Sequence, residues 1–243
     1  MKTSRLFISA LAVMAGVLTA TPAINAQENG NRDENGKVVR GSYETNRFGD
    51  NWFVGVGAGV NSWWGKGVDG KAGIATDIYV GKWFTPSIGT RVGWAGLKNK
   101  VVAKDGFTAC DGTFNCNTIH ADLLWNLSNA FSGYKETRTW NVIAYPSFAY
   151  MRARSNSEFG AGLGLLNSFR VSNRVNINLD LSALATKSTY PHVSPAPNTR
   201  LGVMPSAKIG VSVNLGRTNF KRHTSVVPAI VPVPFTEDQY NAL

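Results

Sequence analysis

The chain has 243 residues, 43% of them hydrophobic and 16% charged, with 25 glycines, 7 tryptophans and a formal charge of +10. So apolar and weakly charged a composition excludes a disordered chain, and glycines that keep no three-residue period exclude a collagen-like one. What is left is a globular or membrane domain, with enough length for one large domain plus tails.

Lys2 and Arg5 precede an apolar run from Leu6 to Leu18, and small residues then lead to Ile24-Asn25-Ala26. This order predicts a secretory signal peptide over residues 1–26, cut after Ala26 or alternatively after Ala23. Residues 27–50 are polar and charged without period, which predicts a flexible periplasmic lead. No later apolar run reaches about 18 residues, so no transmembrane helix is expected in the exported part.

From residue 51 the hydrophobicity has period two. Trp52, Val54, Val56, Ala58 and Val60 share one parity, and Phe53, Gly55, Gly57 and Gly59 the other. Thr76, Ile78, Val80 and Phe84 then alternate with Asp77, Tyr79 and Gly81. After Thr85-Pro86-Ser87, Ile88, Val92 and Trp94 alternate with Gly89, Arg91 and Gly93, so these two segments predict a hairpin. The pattern returns from Ile119 to Leu127, Trp140 to Tyr150, Phe159 to Leu165, Val175 to Ala183 and Ala207 to Leu215, eight segments in all.

Alternation alone also suits a soluble β-sandwich. Three features favour a membrane barrel. Segments of about 10 residues match a tilted crossing of the hydrocarbon layer. Aromatics such as Trp52, Trp94, Trp125, Trp140 and Tyr150 bound the apolar parity, like interfacial girdles. The other parity mixes glycine with isolated charges, as the interior of a small barrel would. Tight turns near 85–87 and 172–174 contrast with long links near 98–117 and 185–200, which places the tight side in the periplasm; the longer turn from Ser128 to Arg138 is an exception.

The phrases Lys82-Trp83-Phe84-Thr85-Pro86-Ser87-Ile88-Gly89, Leu124-Trp125-Asn126-Leu127-Ser128-Asn129 and Gly164-Leu165-Leu166-Asn167-Ser168-Phe169-Arg170 resemble the N-terminal barrel domain of outer-membrane protein A-type proteins. The resemblance covers about residues 51–216. It implies an all-β fold, an eight-stranded antiparallel up-and-down transmembrane β-barrel in the bacterial outer membrane. That family usually adds a periplasmic domain that grips peptidoglycan; peptidoglycan is therefore expected as a partner only through a segment beyond Leu243. Residues 217–243 read as a Pro-rich periplasmic linker, with Pro228, Pro232 and Pro234, leading to the start of a helix at the capping box Thr236-Glu237-Asp238-Gln239.

Cys110 and Cys116, close together in an exported loop, predict a disulfide; a metal site would need more ligands than Asp111 and His120 supply. The glycine clusters at 55–59 and 160–164 lie inside strands and lack the spacing of a nucleotide-binding loop. They are read as room for Phe53, Tyr79 and Tyr145. Asp77, Arg91, His120, Asp122, Asp180 and Lys208 form an expected interior polar network in which Asp77 and Arg91 pair across the hairpin, since a buried ion needs a partner. An eight-stranded lumen is only wide enough for side chains to fill, so a plugged interior is expected ahead of a small-solute channel.

A lipid-modifying enzyme would need a pair such as His120 and Asp122 with Ser147 or Ser206, but no G-x-S-x-G or H-E-x-x-H motif occurs, and no catalytic, cofactor or metal residue is expected. The basic residues Lys98, Lys100, Lys104, Arg152, Arg154, Lys187 and Arg200 fall near the outer loops, where outer-membrane lipid and lipopolysaccharide are the expected partners and host or surface ligands are further options. Export argues against nucleic acid. The expected role is anchorage and envelope integrity, with loops available for adhesion.

Overall fold

The computed structural model describes residues 47–109, 112–153, 156–187, 193–194 and 201–220. The expected signal peptide, the lead before Arg47 and the linker beyond Phe220 lie outside the described residues.

Eight long strands carry the fold: β1 (Trp52–Asn61), β2 (Val68–Trp83), β3 (Ile88–Ala103), β4 (Thr113–Asn126), β5 (Trp140–Ala153), β6 (Asn156–Arg170), β7 (Val175–Lys187) and β8 (Leu201–Leu215). Each pairs antiparallel with its chain neighbours. The sheet closes where β1 meets β8, from Trp52 opposite Leu215 to Asn61 opposite Ser206. Closure removes the free edges that an open sheet would present. Among the described residues no helix is long and apolar enough to cross a membrane.

Side chains of one parity face out. Val56, Ile78, Val92, Ile119, Leu123, Phe148, Leu163 and Ile209 are all exposed on the barrel wall. So large an apolar surface has no place in water and forms the lipid-facing band. The opposite parity fills the lumen.

Tight hairpins come from the same local chemistry at two places. In the turn between β2 and β3, the Thr85 hydroxyl accepts from the Ile88 amide at 2.9 Å; between β6 and β7, Ser172 does the same for Val175 at 3.1 Å. The longer turn after β4 holds a short helix, α1 (Leu127–Ser132), capped by the Asn126 side chain, which accepts from the Asn129 amide. Arg138 closes its other end by donating to the carbonyls of Ser128 and Gly133.

Two expectations need correction. The strands are longer than about 10 residues: β2 and β3 have 16 each, and pairing continues toward Ala103 and resumes at Thr113, through most of what reads as a loop. Beyond the apolar band the outward positions turn polar, as at Lys71, Lys98 and Lys100, but backbone pairing has no reason to stop there. Nor is the loop side uniformly long, because β5 and β6 are joined through residues 154–155 alone.

Candidate functional site

The lumen is stacked in three layers. At the loop end Trp63, from the link between β1 and β2, is 2% exposed and meets Phe114 edge to face at 5.8 Å. Val68, Leu97, Val101, Cys116, Met151 and Met204 complete this apolar lid. At the turn end Phe53, Leu124, Ile143 and Leu166 form a floor with Tyr79 and Tyr145. Sequence reading missed Trp63, because its link carries no periodicity to say which way a side chain points.

Between lid and floor lie the six charged or ionisable residues expected from the sequence. Arg91, 1% exposed, donates from Nε to Asp122 Oδ2 at 2.7 Å and from Nη1 to Asp180 Oδ2 at 3.1 Å. Its guanidinium lies between two aromatic rings, 4.8 Å from the Tyr79 centroid and 4.7 Å from that of Tyr145. Tyr145 also donates its hydroxyl to Asp180 at 2.5 Å. Across the lumen Lys208 donates to Asp77 Oδ2 at 2.6 Å. The two imidazole nitrogens of His120 lie 3.0 Å from Asp122 Oδ2 and 3.0 Å from Asp77 Oδ1, linking the two groups. Glycines make the room: a Cβ at Gly55 would run into the Tyr79 ring and one at Gly164 into that of Tyr145.

The expected pairing of Asp77 with Arg91 is incorrect. The tight turn sets Trp83 opposite Gly89, and counting back from there puts Asp77 opposite Ala95 and Arg91 opposite Gly81, four residues apart along the strand. Each finds its partner elsewhere, Asp77 on β8 and Arg91 on β4 and β7. Asn178 was also missed as a link; its amide donates to the Tyr79 hydroxyl at 3.1 Å and to Ser212 at 2.8 Å. Its inward parity was the available signal.

Such an arrangement neutralises charge and holds strands together. Both nitrogens of His120 face carboxylates, and the Ser206 hydroxyl bonds Ser182 at 2.8 Å. Among the described residues no group of three or more His, Cys, Asp or Glu side chains is disposed to hold a metal ion. Cys116 is buried with its sulfur 3.6 Å from Thr118 Oγ1, while Cys110 lies outside the described residues, so the disulfide stays an expectation.

Small cavities flank the charged layer. One of about 50 Å³ lies on its lid side, bordered by Asn61, Ala95, Thr118 and Leu184. Another, of about 130 Å³, opens at the turn-side mouth among Asn126, Asn141, Asn176, Asn214 and Arg138.

A closed eight-stranded sheet with an apolar outer wall and a salt-bridged interior defines an outer-membrane β-barrel, and this chain resides in the outer membrane. The comparisons with known proteins agree. It is 25% identical to outer membrane protein 40 of Porphyromonas gingivalis, over 90% of this chain and 60% of that protein. Identity to outer membrane protein 41 of the same organism is 26%, over 74% of this chain and 51% of the relative. The chain thus spans only about half to three-fifths of the length of these relatives. Among solved structures, Neisserial surface protein A shares the fold with a TM-score of 0.52 at 13% identity, covering 68% of this chain and 97% of that one. No family model matches the chain.

Proposed function

We propose that this chain is a structural member of the outer membrane, of the outer-membrane protein A type, whose sealed barrel anchors a periplasmic segment that grips peptidoglycan and thereby supports envelope integrity. The observation that carries the sealed-barrel reading is the Arg91 layer beneath the Trp63 lid, whose ion pairs join β3 to β4 and reach across the lumen to β7. The anchor reading is supported by the exit of the chain. Past β8 the Arg217 carbonyl accepts from the Asn51 amide at 2.7 Å, and the Phe220 ring meets Tyr134 edge to face at 5.8 Å, so the outgoing segment is held against the turn-side mouth. The loop side is left free for surface or host ligands.

Planar-bilayer recording on the full chain tests the sealed lumen: silence across voltages is expected, and steady unitary steps would overturn it. Co-sedimentation with purified peptidoglycan sacculi, of the protein extended by the segment beyond Leu243, tests the anchor, with retention expected and release of all the protein by mild detergent counting against it. A second reading, a narrow small-solute channel, draws on the two cavities flanking the charged layer. An enzymatic role is not favoured, and replacing His120 with Ala is expected to leave lipid A composition unchanged when lipid extracts are compared by mass spectrometry.

A further inference from the structure

The three phrases that carry the family resemblance are far apart in the chain, yet the fold brings them all to one place. Trp83 and Pro86 from the first, Asn126 and Asn129 from the second, and Ser168 and Arg170 from the third line the cavity of about 130 Å³ at the turn-side mouth. The apolar floor of Phe53, Leu124, Ile143 and Leu166 lies between this mouth and the Arg91 layer. The polar lining of the mouth is therefore not needed to neutralise the interior ions.

Amides dominate that lining. Asparagine is disfavoured in strands, yet Asn141, Asn176 and Asn214 occupy inward, half-buried positions near the turn-side ends of β5, β7 and β8. Strand register sets Asn141 opposite Ser168 and Asn176 opposite Arg170, which makes one polar wall from β5 to β7, and Asn214 extends it to β8. Neighbouring side chains fix this wall. Asn126 donates to Asn141 Oδ1 at 3.2 Å and accepts from the Asn129 amide, while Asn129 in turn donates to the Pro86 carbonyl at 2.7 Å. Arg170 donates to Asn173 Oδ1 at 2.9 Å. Tyr134 and Phe220, edge to face, add aromatic surface at the rim. Two buried polar atoms on the α1 side lack a partner among the described residues: Asn129 Oδ1, an acceptor, and Arg138 Nε, a donor. Buried atoms left in that condition are costly.

We infer that the turn-side mouth is a saccharide-binding site. A carboxamide offers donors and an acceptor in one plane, and neighbouring sugar hydroxyls, each both donor and acceptor, answer them; a hydroxyl likewise supplies what Asn129 Oδ1 and Arg138 Nε lack. The aromatic rings at the rim give the less polar face of a sugar ring a surface to rest on. Peptides also suit amides, but an extended peptide needs a free sheet edge and a helical one an apolar groove. The closed barrel has no free edge among its eight long strands, and the mouth is polar. Asn141, Asn176 and Asn214 touch the sugar, while Asn126 is a positioning residue that holds Asn141. Acetamido sugars of a wall glycan and the plain sugars of a glucan share this chemistry, and the probes below tell them apart. The site lies in the barrel itself, so it does not rest on any grip on peptidoglycan by a segment beyond Leu243.

The test uses the full chain refolded in a sugar-free detergent, with N,N′-diacetylchitobiose, cellobiose and trialanine as probes and binding read by saturation-transfer NMR and calorimetric titration. Saturable binding of at least one disaccharide is expected. Tighter binding of the acetamido form identifies a wall glycan as the source, and tighter binding of the plain form a glucan. An Asn176→Ala, Asn214→Ala variant is expected to bind the preferred sugar about tenfold more weakly, each lost hydrogen bond being worth a sizeable part of such a factor. The single Asn176→Ala variant guards against misfolding of the double one and is expected to show a smaller loss. An Asn115→Ala, Asn117→Ala variant removes two amides at the loop end and is expected to bind normally. Failure of both sugars to bind, unchanged affinity in the double and the single variant, an equal loss in the loop-end control, or tighter binding of trialanine than of either sugar would each overturn the proposal.

Discussion

Arg91 shows how one residue can hold a narrow barrel together. It bridges β3 to β4 through Asp122 and, across the lumen, to β7 through Asp180, while two tyrosine rings cover its faces. Removing water from these ions is costly, and the geometry offsets that cost only while every partner is present. Arg91→Met should therefore destabilise the barrel by about 3–5 kcal/mol, because Asp122 and Asp180 would be left buried without the cation. Adding Asp122→Asn and Asp180→Asn should restore part of that loss, since neutral amides need no counter-charge. Urea titration of protein refolded into vesicles, followed by tryptophan fluorescence, measures both. If the triple variant were less stable than Arg91→Met, charge neutralisation would not be the role of this residue.

At the scale of the strand, parity decides what a substitution costs. Asp77 and Ile78 are neighbours on β2, yet the first is 4% exposed in the lumen and the second 54% exposed on the wall. Ile78→Arg, five residues from the turn-side end of β2, would put a charge near mid-bilayer and should cost about 2–4 kcal/mol; the same vesicle titration checks it. A null effect would mean that this face does not meet lipid. This parity was legible in the sequence, because lipid on one side and a packed lumen on the other impose period two on every strand. Register was not. Which charges meet depends on the geometry of the Thr85-Pro86-Ser87 turn and on how far strands shear around the barrel, and neither is written within a strand. The six interior residues could thus be named while the Asp77–Arg91 pairing was misassigned, and Trp63 stayed invisible in a link without pattern.

For the whole molecule the decisive event is closure, since the seam between β1 and β8 joins residues about 150 positions apart in the chain and must form for any edge to disappear. Two glycines, Gly57 and Gly210, face each other there. Their surroundings are unequal. A Cβ on Gly57 would sit at ordinary contact distance, 3.6 Å from the Ile209 carbonyl oxygen and 3.8 Å from Gly210 Cα. A Cβ on Gly210 would collide with the Val56 carbonyl and come within 2.9 Å of Gly57 Cα, and both are backbone atoms that cannot swing aside. Gly57→Ala should therefore close normally, whereas Gly210→Ala should lose about 1–3 kcal/mol by forcing the seam apart. Gel migration of unboiled against boiled samples separates the two outcomes, because a closed barrel resists detergent and runs as a compact species until it is heated. Gly57→Ala should keep the two bands distinct up to the temperature of the parent chain. Gly210→Ala should merge them at a lower one. Identical behaviour of the two variants would place the controlling step of assembly away from the seam.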